Sequence, residues 1–288
     1  MNSPFFLDFL VFIYYTVGRK GVFPMSSYLT FQVAEGEVAY PPRVHYHPDY
    51  EVYYLTDGVC RYFIHNKTYR LTAGDIVVIP PGLIHKVIYE SPSHSRMLFN
   101  CTADFVPASV RKVEDRITYF PQTPETAKQI TSLYRKIREA SAKPDEFWED
   151  SLRCHISQLF LLMAKSSCHP ASRSAGSPFV ENAVEYIRAN YMYRLTLPET
   201  ARHCAVSPEH LSRVFKRETG FGFNEYLNLY RLKKAESILK SGKAGSIAQV
   251  ASLCGFSDSN YFSNTYKKMF GISPSQAKIH SEQEADDV

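Results

Sequence analysis

Three histidines and a carboxylate lie close together in the N-terminal half of the chain. His45, His47 and Glu51 fall within seven residues, and His85 ends a segment that begins at Gly74. Imidazole nitrogens and carboxylate oxygens bind Fe, Mn, Ni or Zn ions when they converge. The same groups can instead form hydrogen bonds in a buried interior or contact a small molecule, and we expect no obligatory metal.

Short strands separated by turns must position these residues. Apolar residues alternate with polar ones at Val52 and Tyr54 and again at Tyr62 and Ile64, and turn-forming sequences lie between them. Many short strands punctuated in this way predict a closed or double-sheet β barrel. Such a barrel can enclose a small molecule, although aromatic residues also fill barrel cores. The candidate effector-binding residues are His45, His47, Glu51, Tyr53, Tyr62 and His85.

The last hundred residues contain one kind of unit twice, at residues 197–222 and 247–274. In each copy a short apolar helix stops at a turn, and a second helix begins at a capping residue. Ser207 with Pro208 opens the first of these helices, and Ser257 or Asp258 opens the other. Two helices joined in this way predict a helix-turn-helix, whose second helix can enter a DNA major groove.

The charge of this region differs from that of the whole chain. Residues 178–280 contain fourteen Lys and Arg against eight Asp and Glu, a surplus of six positive charges, whereas the full chain has a net charge of only +4. A basic lobe is typical of phosphate binding, although charged helices can also be merely solvated. The coincidence of the charge with the doubled motif favours DNA binding.

Helical spacing predicts which side chains of the second helices face outward. Leu211 and Phe215 are apolar four residues apart and must face the core, and the same holds for Phe262 and Tyr266. In the outward set Arg213 can donate two hydrogen bonds to guanine. Asn260 and Asn264 can pair with adenine in the same bidentate way, while Lys216 and Arg217 are expected to hold phosphates.

The doubled unit resembles the DNA-binding domain of the AraC/XylS family of bacterial transcription regulators. The similarity covers about residues 179–279, with segments such as HLSRVFK at 210–216 and NYF at 260–262. The resemblance implies base contacts at Glu209, Ser212 and Arg213 and at Asn260, Tyr261 and Asn264. Asn264 stands where Arg is usual and Tyr266 where Phe is usual, which implies different or weaker contacts. The full set of predicted DNA-binding residues is Glu209, Ser212, Arg213, Lys216, Arg217, Ser259, Asn260, Tyr261, Ser263, Asn264, Lys267 and Lys268.

The histidine-containing segments resemble the two cupin motifs of a jelly-roll family, over roughly residues 33–91. Tyr89 stands in place of the Asn that usually follows the second motif. The resemblance implies that His45, His47, Glu51 and His85 are either metal ligands or residues that persist as effector contacts. The resemblance to the AraC/XylS regulators implies a carbohydrate-type effector and a homodimer.

Helices are predicted on both sides of a polar linker. Residues 224–240 contain neither Gly nor Pro and predict one helix that holds the recognition helices about one DNA turn, roughly 34 Å, apart. Residues 121–165 carry two apolar stripes, which either pack on the barrel or form a dimer contact, and the family resemblance favours the dimer. Residues 166–178 are small and polar, which is typical of an interdomain linker.

The termini and the cysteines complete the predicted organisation. Residues 1–25 form an apolar extension that is a buried element, a membrane-surface segment or an over-extended reading frame with its natural start at Met25. Residues 281–288 form an acidic tail. Six cysteines are scattered without paired spacing, which predicts reduced thiols and a cytoplasmic protein.

The whole pattern predicts a multidomain α+β protein. A cupin-like jelly-roll barrel at residues 26–120 is followed by helices at 121–165, and an all-α domain of two helix-turn-helix motifs occupies 179–280. We expect a sequence-specific transcription regulator that responds to a small molecule, binds double-stranded DNA and contacts RNA polymerase if it activates. The alternative is a cupin metalloenzyme with an appended DNA-binding module.

Overall fold

The computed structural model describes residues 22–26, 29–36, 47–111, 119–120, 123–142, 145–166, 175–241 and 245–279. Contacts divide the chain after Gly176. The described residues up to Gly176 are called the N-terminal unit, and those from Ser177 onward the C-terminal unit. The predicted acidic tail, most of the apolar extension and most of the linker lie outside the described residues, and the predicted domain boundaries stay predictions.

The N-terminal unit is built from two antiparallel sheets. Within its described residues, the strands of the larger sheet lie in the order β1-β2-β8-β3-β6-β9, and those of the smaller sheet in the order β5-β4-β7. The strands are β1 (Val22–Ser26), β2 (Leu29–Gly36), β3 (Tyr50–Asp57), β4 (Val59–Ile64), β5 (Lys67–Thr72), β6 (Ile76–Ile79), β7 (His85–Tyr89), β8 (His94–Cys101) and β9 (Tyr119–Phe120).

The strands β3, β6 and β8 of the larger sheet carry buried residues on both faces. On one face Tyr53 and Leu98 pack against residues of the smaller sheet such as Tyr62. On the other face Val52 and Phe99 belong to a second core, which the following helices complete. Because neither face meets water, all four residues of β6 are apolar and buried, and this strand lacks the alternation expected of a half-exposed one.

The helices after the sheets are α1 (Ala108–Arg111), α2 (Pro124–Ala142) and α3 (Trp148–Ser166). The apolar stripes of α2 and α3 pack on the outer face of the larger sheet. Tyr134 and Phe160, for example, are fully buried with Tyr50. Of the two roles that the sequence left open for these stripes, the structure therefore shows packing on the sheet. A dimer through other faces of these helices stays a prediction.

The C-terminal unit is helical throughout its regular elements. Its helices are α4 (Pro178–Asn190), α5 (Leu197–His203), α6 (Pro208–Thr219), α7 (Phe223–Lys240), α8 (Ile247–Leu253) and α9 (Ser259–Phe270). The pairs α5–α6 and α8–α9 are the two predicted helix-turn-helix units, and α7 is the predicted connecting helix. It begins one residue before the predicted start, where the backbone N–H of Gly222 donates to the Glu225 carboxylate at 3.0 Å. The predicted fold class is confirmed.

The two copies repeat one another in backbone detail. Thr196 and Ser246 each form a capping box at the start of the first helix. Each recognition helix has a side-chain cap, and of the two caps predicted for α9 it is Asp258 that accepts from the amides of Asn260 and Tyr261. Each recognition helix also ends at a glycine in the left-handed region. The repeat is thus one of local hydrogen bonding as well as of sequence.

The turns of the two copies place different residues in one strained conformation. Ala205 has φ 56° and Gly255, at the equivalent position, has φ 80°. A left-handed conformation costs an alanine about 1–2 kcal/mol but costs a glycine almost nothing. The first turn therefore carries strain that the second turn avoids.

We expect Ala205→Gly to stabilise the C-terminal unit by about 0.5 kcal/mol. The relief of strain outweighs the added entropy of the unfolded chain, which is about 0.4–1 kcal/mol. Calorimetric unfolding of the full chain measures the change. Ala235→Gly is the control, because Ala235 lies buried inside α7 and its loss should be destabilising. If Ala205→Gly lowers stability as Ala235→Gly does, the strain is absent.

Candidate functional site

A cluster of polar groups lies between the two sheets of the N-terminal unit, centred on Glu51. This carboxylate is only 3% exposed, so its oxygens need partners inside the fold. Tyr62 donates to Glu51 Oε1 at 2.8 Å, and Glu51 Oε2 lies 3.2 Å from His47 Nε2 and 3.9 Å from His85 Nε2. Asn100 donates to the same oxygen at 3.5 Å. The cluster therefore draws on β3, β4, β7, β8 and the segment before β3.

Strand register explains why these residues meet. Glu51 is paired with Asn100 across β3 and β8, so the two side chains lie on the same face. In the smaller sheet, Ile64 is paired with His85, and Tyr62 lies two residues earlier on the same face of β4. Residues far apart in sequence are thereby aimed at one point between the sheets.

Both histidines present their Nε2 atoms to the cluster. The Nδ1 atom of His47 lies 2.8 Å from the Asp49 carbonyl, and that of His85 lies 2.8 Å from the Leu83 carbonyl. A backbone carbonyl accepts only from a protonated Nδ1, which fixes the tautomer of a neutral ring with its lone pair on Nε2. Ligand atoms of His47, Glu51 and His85 lie within 4.8 Å of one another, and this group could hold a metal ion.

Charge inside the cluster is shifted by burial and by Glu51. Burial lowers the pKa of His47, but the hydrogen bond and the charge of Glu51 outweigh that effect and raise it above 6.5. Burial, reinforced by Glu51, raises the pKa of Tyr62 well above its usual value, so Tyr62 remains a neutral donor. The buried Glu51 carboxylate therefore favours cations and hydroxyl donors as its neighbours.

The raised pKa of His47 makes the stability of the N-terminal unit depend on pH. Protonated His47 stabilises the fold fully at pH values below 6.5, and this stabilisation is lost as the pH rises through the raised pKa. In Glu51→Gln the effects of Glu51 are lost, and burial, the largest influence, should lower the pKa of His47 against the smaller opposing effect of Asp49. The contribution of His47 to stability should then increase with pH. Urea unfolding at several pH values, followed by the fluorescence of Trp148, the only tryptophan, measures the slope.

The control for this prediction is Glu90→Gln. Glu90 forms ion pairs with Arg61 and Arg70. This variant should keep the pH slope of the parent protein, whereas equal slopes in the parent and in Glu51→Gln would contradict the prediction.

The structure brings together most of the predicted barrel residues. His47, Glu51, Tyr62 and His85 form the cluster, while His45 lies outside the described residues. Tyr53 lies on the same face of β3, with its ring 5.0 Å from that of Tyr62. Sequence reasoning missed two polar residues of β8, Asn100 and Arg96. In a strand, Arg96 and Asn100 lie on the face opposite Met97 and Phe99. This alternation indicates a polar inner face, but only if residues 94–101 are first assigned to a strand.

The C-terminal unit presents the predicted faces of its recognition helices to solvent. In α6, Leu211 and Phe215 are buried, and all five predicted DNA-binding residues are exposed. In α9, Phe262 and Tyr266 are buried, and every predicted residue is exposed except Ser263, which is half-buried. Its hydroxyl donates to the Ser259 carbonyl at 2.8 Å. Contact of any of these residues with DNA stays a prediction.

Two of these side chains have defined neighbours. A terminal guanidinium nitrogen of Arg213 lies 3.2 Å from His210 Nδ1, and the His210 ring packs against Phe179 at 5.3 Å. The hydroxyl of Tyr261 accepts from Asn228 of α7 at 3.1 Å, so the connecting helix orients it. His210 was not predicted, although it lies on the exposed side of α6 beside Arg213.

Comparison with known families matches both units. Residues 33–155 match the family described as an AraC-like ligand binding domain, and residues 200–278 match a helix-turn-helix domain. The chain belongs to the AraC family of transcription regulators.

Relatives of this AraC-family protein cover either most of the chain or a little over a third of it. It is 24% identical over 247 residues to the HTH-type transcriptional activator RhaR of Mannheimia succiniciproducens, covering 82% of this chain and 87% of the relative. It is 40% identical over 111 residues to the uncharacterized HTH-type transcriptional regulator YijO of Escherichia coli, covering 38% of each chain. The C-terminal domain of AraT, a response regulator from Geobacillus stearothermophilus, is 36% identical, with a TM-score of 0.36, 37% of this chain covered and 88% of that domain. The family match of both units and the similarity to RhaR over most of the chain confirm the predicted class of transcription regulator.

One basic residue of the AraC-family helix-turn-helix unit is not available to DNA. Arg231 is one of the fourteen Lys and Arg residues of the basic lobe, but it is only 9% exposed. Its Nε donates to the Tyr191 carbonyl and a terminal nitrogen donates to the Tyr193 carbonyl, both at 2.8 Å. Burial lowers the pKa of Arg231. Arg231 therefore links α7 to the segment after α4 by hydrogen bonds. The positive charge on the surface of this unit is correspondingly smaller than the residue count predicts.

No helix among the described residues is long and apolar enough to cross a membrane. The described cysteines are all free thiols.

Proposed function

We propose that this AraC-family protein is a one-component regulator in which a small molecule, bound between the two sheets, changes how both helix-turn-helix motifs are presented to a promoter. The observation that supports it best is the pair of recognition helices, each with a buried apolar face and an exposed polar face. Arg213 and Asn260 are the proposed base contacts, and Lys216, Arg217, Lys267 and Lys268 the proposed phosphate contacts.

Selection of bound duplexes from a random pool, with the full chain, tests the DNA-binding part. We expect an asymmetric site whose two halves lie about ten base pairs apart, because one chain carries two unlike recognition helices. The double variant Arg213→Ala with Asn260→Ala should enrich neither half. Enrichment of no sequence by the parent protein, with or without sugars, would contradict sequence-specific binding.

The effector is proposed to contact the Glu51 cluster. His47, Glu51 and His85 offer acceptors and donors for hydroxyl groups, while Tyr53 and Tyr62 offer aromatic faces of the kind that pack on sugar rings. A carbohydrate or a related metabolite suits this combination. Titration of the full chain with sugars, compared with Glu51→Gln, tests the site, since equal binding by both proteins would place the effector elsewhere.

The same cluster is proposed to need no metal for folding or DNA binding. Its donor set fits a divalent ion, because two histidines and a carboxylate converge there. Glu51 nevertheless already accepts from the Tyr62 hydroxyl, and its other oxygen lies 3.2 Å from His47 Nε2, so the carboxylate and one imidazole are satisfied within the protein. Metal analysis of protein purified without a His tag tests the point, and a stoichiometric metal in mild preparations would overturn it.

Three further properties are proposed from the sequence and the family. The protein is cytoplasmic, it forms a homodimer through the outer faces of α2 and α3, and it contacts RNA polymerase if it activates transcription. On α3, Leu161 is 38% exposed and points away from the core that Phe160 fills. Sedimentation of the full chain tests the dimer, and a monomer at high concentration would contradict it.

A further inference from the structure

We propose that the effector is a sugar acid and that Arg96 binds its carboxylate. The inference rests on the proposed function, because it takes the space between the two sheets to be the effector site. It adds a charge requirement and a residue that lies outside the Glu51 cluster.

Arg96 lies on the inward face of β8. The register pairs Asn100 with Glu51 and Leu98 with Tyr53, so Arg96, two residues further along, shares the face of the Glu51 cluster. Its guanidinium carbon lies 5.8 Å from the centre of the Tyr53 ring. The guanidinium therefore lies beside Tyr53, two residues along β3 from Glu51.

Arg96 forms no ion pair within 4 Å with any side chain that the structure describes. The carboxylate whose charge acts on it, Glu51, is already engaged by Tyr62 and His47. The Nε atom of Arg96 is buried and has no hydrogen-bond partner in the described part of the chain. Arg153, in contrast, is bound to Asp104 at 2.7 Å and to Glu149 at 3.0 Å. A guanidinium that is largely removed from water with an unpaired N–H group and no directly bound anion is unfavourable, and an anionic ligand in contact with it would relieve that cost.

The groups around Arg96 are hydroxyls rather than anions. Burial raises the pKa of both Tyr53 and Tyr89, and both therefore stay neutral. Their hydroxyl oxygens lie 3.5 Å apart. Neutral phenols can donate to a bound carboxylate but bring no charge of their own, and Glu51 is engaged with His47 and Tyr62, so a ligand carboxylate would give Arg96 a counterion in direct contact.

His94 supplies a second polar group without a partner next to Arg96. It lies two residues earlier on the same face of β8, is only 2% exposed, and stacks on Tyr89 at 3.5 Å. Neither ring nitrogen has a hydrogen-bond partner in the described structure. Burial and the charge of Arg96 lower the pKa of His94, so the ring is neutral and can still donate one hydrogen bond. Two unsatisfied donors at one place point to an acceptor ligand.

The two polar regions suggest the size and orientation of the ligand. Glu51 and Tyr53 are two residues apart on β3, which is a separation of roughly 7 Å along the strand. The guanidinium of Arg96 lies beside the Tyr53 ring. A six-carbon acid covers that span. Glu51 repels a carboxylate and attracts hydroxyl donors, so the acid end must face Arg96 and the hydroxyls must face Glu51. Arg96, Asn100 and His47 are each partly exposed, which gives a solute access.

Calorimetric titration of the full chain tests the proposal with three acids, D-glucuronate, D-galacturonate and D-gluconate, and with D-glucose, D-galactose and D-glucuronamide as neutral counterparts. We expect at least one acid to bind more tightly than its neutral counterpart. Arg96→Gln should weaken that binding about ten- to hundredfold, the effect of losing charged hydrogen bonds. Arg96→Lys, which keeps the charge, should retain part of the affinity.

Arg70→Gln is the matched control, because Arg70 is exposed and bound to Glu90 at 3.1 Å. It should bind the acid as the parent does. Binding of neutral sugars alone, equal binding by Arg96→Gln, or binding of no acid would overturn the proposal. Retained sequence-specific DNA binding in those cases would leave the proposed regulator intact.

Discussion

Gly255→Ala is expected to destabilise the C-terminal unit by about 3 kcal/mol or more. Gly255 has φ 80°, and a Cβ atom there would lie 2.4 Å from the Tyr191 carbonyl oxygen and 3.0 Å from the Arg231 guanidinium. The left-handed conformation contributes about 1–2 kcal/mol, and forcing the carbonyl and the guanidinium aside contributes about 1–3 kcal/mol. The methyl group would occupy the place where Arg231 donates to Tyr191.

Calorimetry of the full chain measures this effect. The transition of the C-terminal unit should fall by roughly 12 °C or more, while that of the N-terminal unit should not move. Gly222→Ala is the matched control, because an added Cβ there meets nothing closer than 3.9 Å. Equal unfolding temperatures of the two variants would show that Gly255 does not pack closely against the segment after α4.

Ala205 in the first turn and Gly255 in the second occupy equivalent positions but have different surroundings. In the first copy the equivalent residue is exposed, so a methyl group fits and only the backbone conformation is unfavourable. In the second copy the turn packs against the Tyr191 carbonyl and Arg231, and only glycine fits. The two copies thus share the turn conformation but differ in its tertiary contacts.

The faces of the recognition helices could be predicted from the sequence because they depend on local spacing. Leu211 and Phe215 are four residues apart, and that alone turns Arg213 outward. The caps at Ser207 and Asp258 are equally local, since a side chain there reaches amides two or three residues away.

The remainder of the candidate sites depends on contacts between distant segments. Asn100 and Arg96 enter the barrel site only through the register of β8 on β3, which no local pattern specifies. Arg231 looks like a DNA-binding cation in sequence, yet two backbone carbonyls forty residues earlier hold it inside. The apolar stripes of α2 and α3 are compatible both with packing on the barrel and with a dimer contact. Only the tertiary structure shows that they pack on the larger sheet.

Arg213→Ala is expected to weaken binding to the selected DNA site by about 1–3 kcal/mol and to relax the preference at one base pair. Arg213 is exposed in the first half of α6, where a recognition helix enters the groove, and its guanidinium fork matches the O6 and N7 atoms of guanine. Its nearest polar neighbour, His210, is also exposed, so the fork is not held by a carboxylate. Binding measured on the selected site and on each single-base variant gives both effects.

Lys216→Ala is the matched control on the same helix. Lys216 is exposed one turn further on, where phosphates are the expected contacts, and its loss should weaken binding to all sequences alike and reduce the salt dependence by about one ion. Neither variant should change the unfolding temperature appreciably, because both side chains are exposed and neither caps a helix. A uniform loss for Arg213→Ala, equal for every base variant, would make Arg213 a phosphate contact. The specificity of the first half-site would then rest on Glu209 and Ser212, and the recognition of the whole site would depend more on Asn260 and Asn264 in the second copy.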